Sequence, residues 1–339
     1  MPKTIRNVWN RNLSYEKLMK AHIESRKGKA SRKETILFNL KQEEYIKYIY
    51  ENLKAGTYKH GGYTSFYVYE PKKRKIEKSK YIDRIVHRWL VDNILKPYYI
   101  PRFIETSYAC IEKRGMHKAC LDVQKAMRHM KNKYKNYYIL KMDIAKFFQS
   151  IDKDILLNIL KRRVLDKKVL WLIKEIIYSN YLETGAKSLP IGNYTSQMFA
   201  NIYLNELDWY VKEKLKYKWY YRYMDDEILL VPTKEEAIKA VKNIKKFLKE
   251  NLQLELNNKT QIFKGKQGVN FCGYKIKEYN LKIRDKGKRK LKNKIKELKY
   301  NIRNEKMTYK EAKKYLCGHI GYIQIANVKG LINNLFYSE

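Results

Sequence analysis

The stretch Trp219-Tyr220-Tyr221-Arg222-Tyr223-Met224-Asp225-Asp226-Glu227-Ile228-Leu229-Leu230-Val231 decides how this chain is read. It reads as two short strands folded about Met224-Asp225-Asp226. Far upstream, Tyr137-Tyr138-Ile139-Leu140-Lys141-Met142-Asp143-Ile144 is a largely apolar strand that ends in an acid, Asp143. Carboxylates set among apolar residues are out of place unless something cationic sits with them. If the two segments are neighbours in one sheet, Asp143, Asp225 and Asp226 converge at one end. Hard oxygen donors at a shared point suit Mg²⁺. A pair of such ions, about 3.5–4 Å apart, serves in-line phosphoryl transfer by activating the attacking oxygen and stabilising the leaving one. Each motif alone has an ordinary explanation, a helix cap for Asp143 and a polar hairpin turn for the acidic pair. Their joint occurrence favours chemistry.

Composition supports a polyanionic partner. The chain of 339 residues carries 74 Lys+Arg against 35 Asp+Glu, a formal net charge of +39. Such an excess repels itself in a compact fold unless a polyanion is usually nearby, and 31 tyrosines add stacking faces and hydroxyl donors. A hydrophobic fraction of 44% supplies a core and argues against disorder. The cysteines Cys110, Cys120, Cys272 and Cys317 form no CxxC pair, and the six histidines form no metal-spaced cluster with them. Neither a secretory signal nor an apolar run long enough for a bilayer is visible, so a soluble, cytoplasmic protein with no membrane partner is expected.

Periodicity outlines the rest. A helix is expected over 35–54, stopped by Gly56; a strand over 63–69; a basic turn over 71–80; and a helix over 81–96. Further helices are expected over 151–178 and 196–215. Another follows Thr233 and Glu236, which read as a capping box, and runs through Leu252. A strand is expected over 270–275. From Lys282 the chain turns into a basic helical module. Leu291, Ile295, Leu298 and Ile302 form an apolar strip, expected to bury on the preceding body, and Thr308 with Glu311 caps a last helix ending near Gly318.

These segments resemble a known family. Tyr223-Met224-Asp225-Asp226 looks like the YxDD box of reverse transcriptases, and Leu140 to Phe148 looks like their first catalytic block. Leu189-Pro190-Ile191-Gly192-Asn193-Tyr194-Thr195-Ser196-Gln197 stands in the intervening block, and Gly268 to Tyr274 is similar to the primer-grip strand. The resemblance implies an α+β, right-hand polymerase: fingers, a palm of antiparallel sheet backed by helices, and a small helical thumb. The implied division is an N-terminal extension with a first fingers helix (1–62), fingers (63–136), palm (137–278, with fingers helices inserted at about 152–192) and thumb (279–339).

The resemblance also assigns roles. Asp143 and Asp225 are the main ligands of two Mg²⁺ ions, Mn²⁺ being the alternative, with Asp226 close by and the Ile144 carbonyl completing a metal shell. Phe148 matches the steric gate against a ribose 2′-hydroxyl. Lys72, Lys73 and Arg74 match the basic fingers segment facing the deoxynucleoside triphosphate, with Arg84 in support. Ile191, Gly192 and Gln197 line the nucleotide, and Lys259 resembles the lysine that protonates leaving pyrophosphate. Tyr223, Met224, Phe271, Gly273, Tyr274, Lys288, Arg289 and Lys292 are expected along the template RNA and the RNA/cDNA duplex.

The block around Gly192 discriminates among subgroups. Most family members read Gln-Gly-x-x-x-Ser-Pro there; this chain has Ile191 and Gln197 in place of the Gln and Pro. That pattern, with Arg102 to Cys110 upstream, is similar to the enzymes of diversity-generating retroelements. These copy a template-repeat RNA with errors at adenines, alongside a small basic helical accessory variability protein. Other bacterial reverse transcriptases of retron, defence or group II intron type are the alternative, and a non-catalytic RNA-binding module is a more distant one. The residues after Gly273 amount to a helical thumb, which implies no nuclease or maturase domain in this sequence.

Overall fold

A computed structural model describes residues 4–69 and 73–327. They fall into two compact units, which the chain enters and leaves several times. One unit comprises Met1–Glu105, Ile144–Lys216 and Asn243–Asn258; the other comprises Thr106–Asp143, Tyr217–Lys242 and Lys259–Glu339.

The first unit is mostly helical. Its N-terminal segment is held by Asp166, whose Oδ2 accepts from the backbone N–H of Val8 (2.8 Å) and Trp9 (3.0 Å). The same carboxylate's Oδ1 caps the helix Lys167–Ile177 through Lys168 and Val169. The buried Trp9 ring then meets Trp89 and Trp171 edge-on, at centroid distances of 5.4 and 6.1 Å. Strands β1 (Tyr63–Val68) and β2 (Arg74–Ser79) form an antiparallel ribbon, Tyr63 facing Ser79 and Val68 facing Arg74. The expected basic turn over 71–80 is therefore mostly a strand; residues 70–72, including Lys72, lie outside the described residues. The expected helix over 35–54 is two helices, Lys33–Leu40 and Gln42–Ala55, broken at Lys41 (φ −131°, ψ 35°). After the break Ile46, Ile49 and Leu53 are fully buried, whereas Leu37 and Leu40 are exposed. Gly56 ends the second helix in the left-handed conformation (φ 76°), as a helix-stopping glycine does. The span 151–178 likewise divides, into Lys153–Lys161 and Lys167–Ile177.

The second unit holds the main sheet. Strands β3 (Tyr138–Asp143), β4 (Tyr220–Tyr223), β5 (Asp226–Val231) and β6 (Gln261–Lys264) are antiparallel in the order β4-β5-β3-β6. Side chains alternate between the faces. On one face Ile139, Tyr221, Ile228 and Leu230 are buried in a core with Ala119, Val123, Met127 and Met130 of the helix Met116–Tyr134. That helix is the largest element the sequence patterns leave unannounced.

The same core takes in a second sheet of β7 (Val269–Phe271), β8 (Tyr274–Lys277) and β9 (Asn280–Ile283). The single strand expected over 270–275 is thus a hairpin. Its turn, Cys272-Gly273, has positive φ at both positions (47° and 89°), the signature of a tight type I′ connection. A Cβ on Gly273 would sit 2.3 Å from the Tyr322 hydroxyl, which itself donates to the Gly273 carbonyl at 2.9 Å.

The basic module folds as two helices, Asp285–Arg303 and Tyr309–Ile323. Thr308 and Glu311 form the full capping box, and the second helix runs five residues beyond Gly318. Leu291 and Ile295 are buried with Ile283 and Ile323, against Leu316, Tyr322 and Ala326. The apolar strip, expected to bury on the preceding body, closes on the neighbouring helix and on β9. Burying each such side chain contributes roughly 1.5–3 kcal/mol, so the module's core is small but sufficient to orient its lysines outward.

Candidate active site

The acidic residues are placed by register. β3 and β5 pair so that Asp143 lies directly opposite Asp226, with Lys141 opposite Ile228. β4 and β5 pair with Tyr223 opposite Asp226, so Met224 and Asp225 alone make the turn between them. Met224 holds φ 57°, a left-handed conformation that glycine adopts freely and methionine does not. The turn is thus strained at the position next to Asp225, and strain of that kind costs about 1–3 kcal/mol and persists only where the surroundings impose it.

The surroundings here are explicit. The buried Arg222 guanidinium donates to the Met224 carbonyl at 3.0 Å. The backbone of Arg222 is fixed on the outer edge of the sheet as well: its N–H donates to the Thr106 carbonyl (2.9 Å) and its carbonyl accepts from Tyr108 (3.1 Å). Glu227, also fully buried, lies opposite Arg222 in the β4–β5 register.

Electrostatics concentrate on Asp226. Lys141 Nζ lies 3.1 Å from its Oδ1 and 3.3 Å from its Oδ2, and also donates to the Asn270 carbonyl at 2.5 Å. The buried Oδ1 is within ion-pair distance but makes no hydrogen bond. Burial pushes the Asp226 carboxyl up to about 6, Lys141 opposes that, and the charges of Asp143 and Asp225 add to it. Among the described residues no group of three or more His, Cys, Asp or Glu side chains that could hold a metal ion is already assembled. What the fold provides is an all-oxygen donor set at one strand end, including a buried carboxylate oxygen without a hydrogen bond. That set fits a hard divalent cation.

The other expected site residues divide between the units. In the first unit Ile144 bridges Leu256 and is buried, and Ala145 donates to the Glu255 carbonyl (2.9 Å). Half-buried Phe148 stands edge-on to Phe147 (5.5 Å) and accepts from Leu189 N–H at 2.8 Å through its carbonyl. The Ile191 carbonyl accepts from Glu77 of β2 at 3.2 Å. Gly192, at φ 117°, packs so closely that a Cβ would lie 3.2 Å from Ile76. Phe148, Ile191, Gly192 and the strand that begins with exposed Arg74 are therefore joined by backbone hydrogen bonds and close packing. Gln197 is exposed on the helix Tyr194–Trp209. Arg84 is engaged elsewhere, ion-paired to Glu34 at 2.7 Å and stacked over Tyr81.

In the second unit Lys259 is exposed in a turn, and Tyr223 is half-buried. Phe271 and Tyr274 are in the core, 1% and 0% exposed, so their side chains hold the hairpin rather than face a strand of nucleic acid. Lys288 lies 3.6 Å from Asp285, while Arg289 and Lys292 are exposed on the basic helix. Two residues of the acidic site have no role assigned from the sequence: Lys141 and Arg222. A two-residue turn at Met224-Asp225 fixes Arg222 opposite Glu227 by counting alone, so that signal was present. The Lys141–Asp226 contact depends on pairing between distant strands and has no local signal.

The family model for reverse transcriptase (RNA-dependent DNA polymerase) matches residues 69–276. The chain belongs to the reverse transcriptase family. It is 23% identical over 232 residues to Protein YkfC of Escherichia coli strain K12, covering 57% of this chain and 60% of that protein. Against the group II intron-encoded protein LtrA of Lactococcus lactis it is 27% identical over 184 residues, covering 52% and 30%. Against the Retron Ec73 reverse transcriptase of Escherichia coli it is 28% identical over 180 residues, covering 49% and 52%. The chain spans less than two thirds of the length of each of these relatives. The α+β polymerase fold implied by its motifs is the fold of this reverse transcriptase family chain. No helix among its described residues is long and apolar enough to cross a membrane.

Proposed function

We propose that the chain is an RNA-directed DNA polymerase that extends a primer along template RNA using deoxynucleoside triphosphates. The observation that carries this is the register of β3 against β5, which sets Asp143 opposite Asp226 beside the Asp225 turn. Magnesium held by Asp143 and Asp225, with Asp226 alongside, supplies charge neutralisation at the phosphoryl group and a more acidic attacking hydroxyl. Lys141 limits the negative charge that Asp226 contributes, and Arg222 fixes the carbonyl of the turn that presents Asp225. The test is primer extension on an RNA template with Mg²⁺ or Mn²⁺. Tight RNA binding without extension, with cognate RNA and any accessory protein supplied, would replace this reading with a non-catalytic binding module.

Phe148 serves as the sugar gate in this proposal. Phe148→Ala is expected to raise ribonucleotide use relative to deoxyribonucleotide use by about 10–100-fold, the scale on which steric pocket changes discriminate. Single-nucleotide incorporation with matched ribo- and deoxyribonucleotides measures the ratio; an unchanged ratio would leave Phe148 a packing residue beside Phe147.

The finer reading is error-prone copying of a template-repeat RNA for protein diversification, with a small basic helical accessory variability protein as partner. It is supported by Ile191 before Gly192 and Gln197 after Ser196, whereas the named relatives point to group II intron and retron types. An aliphatic side chain at 191 offers no polar check on base-pair geometry. Ile191→Gln is expected to reduce misincorporation opposite template adenine by about 2–10-fold, the worth of one hydrogen bond. Sequencing of extension products decides it, and an error spectrum identical to that of the parent protein removes the link to Ile191.

A further inference from the structure

The first unit contains a cavity of about 360 Å³ that shares no residue with the acidic hairpin, a volume within the usual range for small-ligand sites. Its walls come from three parts of the chain: Tyr99 and Arg102, then Ile159 with Arg162 and Arg163, then Ile202, Asn205, Glu206 and Trp209. Ile159 and Ile202 are buried and form apolar lining. Glu206 is the sole acid among the lining residues and pairs with Arg162 at 2.7 Å. Arg162 and Arg163 directly follow the helix Lys153–Lys161, where cations are favoured in any case. That ordinary explanation does not account for Arg102, which another segment brings close enough for Arg163's charge to act on it; burial first, then that charge, draws Arg102 below its usual range.

Two further observations point to a ligand. Tyr99, which lines this cavity, is 4% exposed, and its hydroxyl has no hydrogen-bond partner among the described residues. Such a hydroxyl keeps its donor available to a bound ligand. The Trp209 indole, 43% exposed, lines the rim and is pinned there because its Nε1–H donates to the Arg102 carbonyl at 3.1 Å. A fixed, half-exposed aromatic face beside clustered guanidinium groups has the chemistry of a platform for a base next to a phosphate.

We propose that this cavity binds a phosphate-bearing nucleotide, free or as one unit of a single strand. Arg102 and Arg163 take the phosphate, Tyr99 donates its hydroxyl, and the base lies on Trp209. Glu206 competes with the phosphate for Arg162. The site is independent of polymerisation, and its test is run in EDTA so that failure of the acidic site cannot mimic failure of this one.

The probe is a labelled short oligouridylate, read by fluorescence anisotropy across a salt series, with AMP, inorganic phosphate and a poly-glutamate peptide as competitors. Arg102→Gln/Arg163→Gln is expected to weaken binding at least about tenfold and to flatten the log–log salt slope by about 0.7, one single-strand phosphate neutralised. Because a strongly basic protein binds RNA at many places, the charge-neutral Tyr99→Phe is the sharper arm: about threefold weaker binding with a melting temperature equal or higher, since an unbonded buried hydroxyl is removed. Glu206→Gln should act in the opposite direction and tighten binding about threefold. Competition by AMP would show that a free nucleotide suffices, and competition by the unlabelled strand alone would show that the strand is the occupant. Unchanged affinity and slope in Tyr99→Phe and Glu206→Gln would overturn the site, as would displacement by poly-glutamate but not by AMP or the strand, which would mark an acidic protein partner instead.

Discussion

Asp143→Asn and Asp225→Asn are each expected to reduce primer extension by at least about a thousandfold, a loss of about 4 kcal/mol in transition-state stabilisation. Asparagine is the decisive replacement at 225 because it keeps the turn-forming ability of aspartate and removes only the charge. If the acidic pair were merely a polar hairpin between β4 and β5, Asn would serve equally well and activity would persist. Stability gives an independent readout. In the parent protein Mg²⁺ at about a hundred times its dissociation constant should stabilise the fold by about 2.7 kcal/mol, and either variant should lose that increment. Lost activity with an undiminished Mg²⁺-induced stabilisation would place the metal elsewhere and break the argument from register.

The sequence made the acidic centre legible because its signals are local. A strand ending in Asp143 and a hairpin bearing Asp225 are each readable within a dozen residues, and both occur where expected. The Thr233 and Thr308 caps were legible for the same reason: their side-chain oxygens accept from Glu236 and Glu311 as the spacing requires. Non-local features were not. The Cys272-Gly273 turn escaped notice because cysteine seldom takes positive φ, so two strands read as one. The helix Met116–Tyr134 buries Ala119, Cys120, Val123, Ala126, Met127 and Met130, small or flexible residues scattered among basic ones, a weaker pattern than a leucine stripe. Nothing in Leu40-Lys41-Gln42 forbids a helix, so the break at Lys41 carries no local signal. In the same way the sequence pointed Phe271 and Tyr274 at nucleic acid, because an aromatic in a motif does not disclose which sheet face is covered.

Arg222→Met destabilises the fold by about 3–5 kcal/mol, the largest stability effect expected of a single substitution near this site. The two residues concerned sit directly opposite each other on β4 and β5, carry opposite charges and are fully buried. Methionine preserves most of the arginine's volume but leaves the Glu227 charge in the interior without its cross-strand counterpart. It also removes the guanidinium donor to the Met224 carbonyl. The double variant Arg222→Met/Glu227→Met should recover most of the loss, because it takes both opposite, buried charges out of the interior together and leaves apolar side chains of similar size in their place. Denaturant unfolding of the parent, the single variants and the double variant closes the cycle; a double variant no more stable than Arg222→Met would show that the two charges are not coupled. Activity separates the two roles of Arg222. With the fold restored, the turn still lacks the bond that holds Met224 at φ 57°, so polymerisation by the double variant should remain at least about tenfold below that of the parent. Full recovery of both stability and activity would mean that the strands alone suffice to hold Asp225 in place, and that the arginine is retained only to neutralise Glu227.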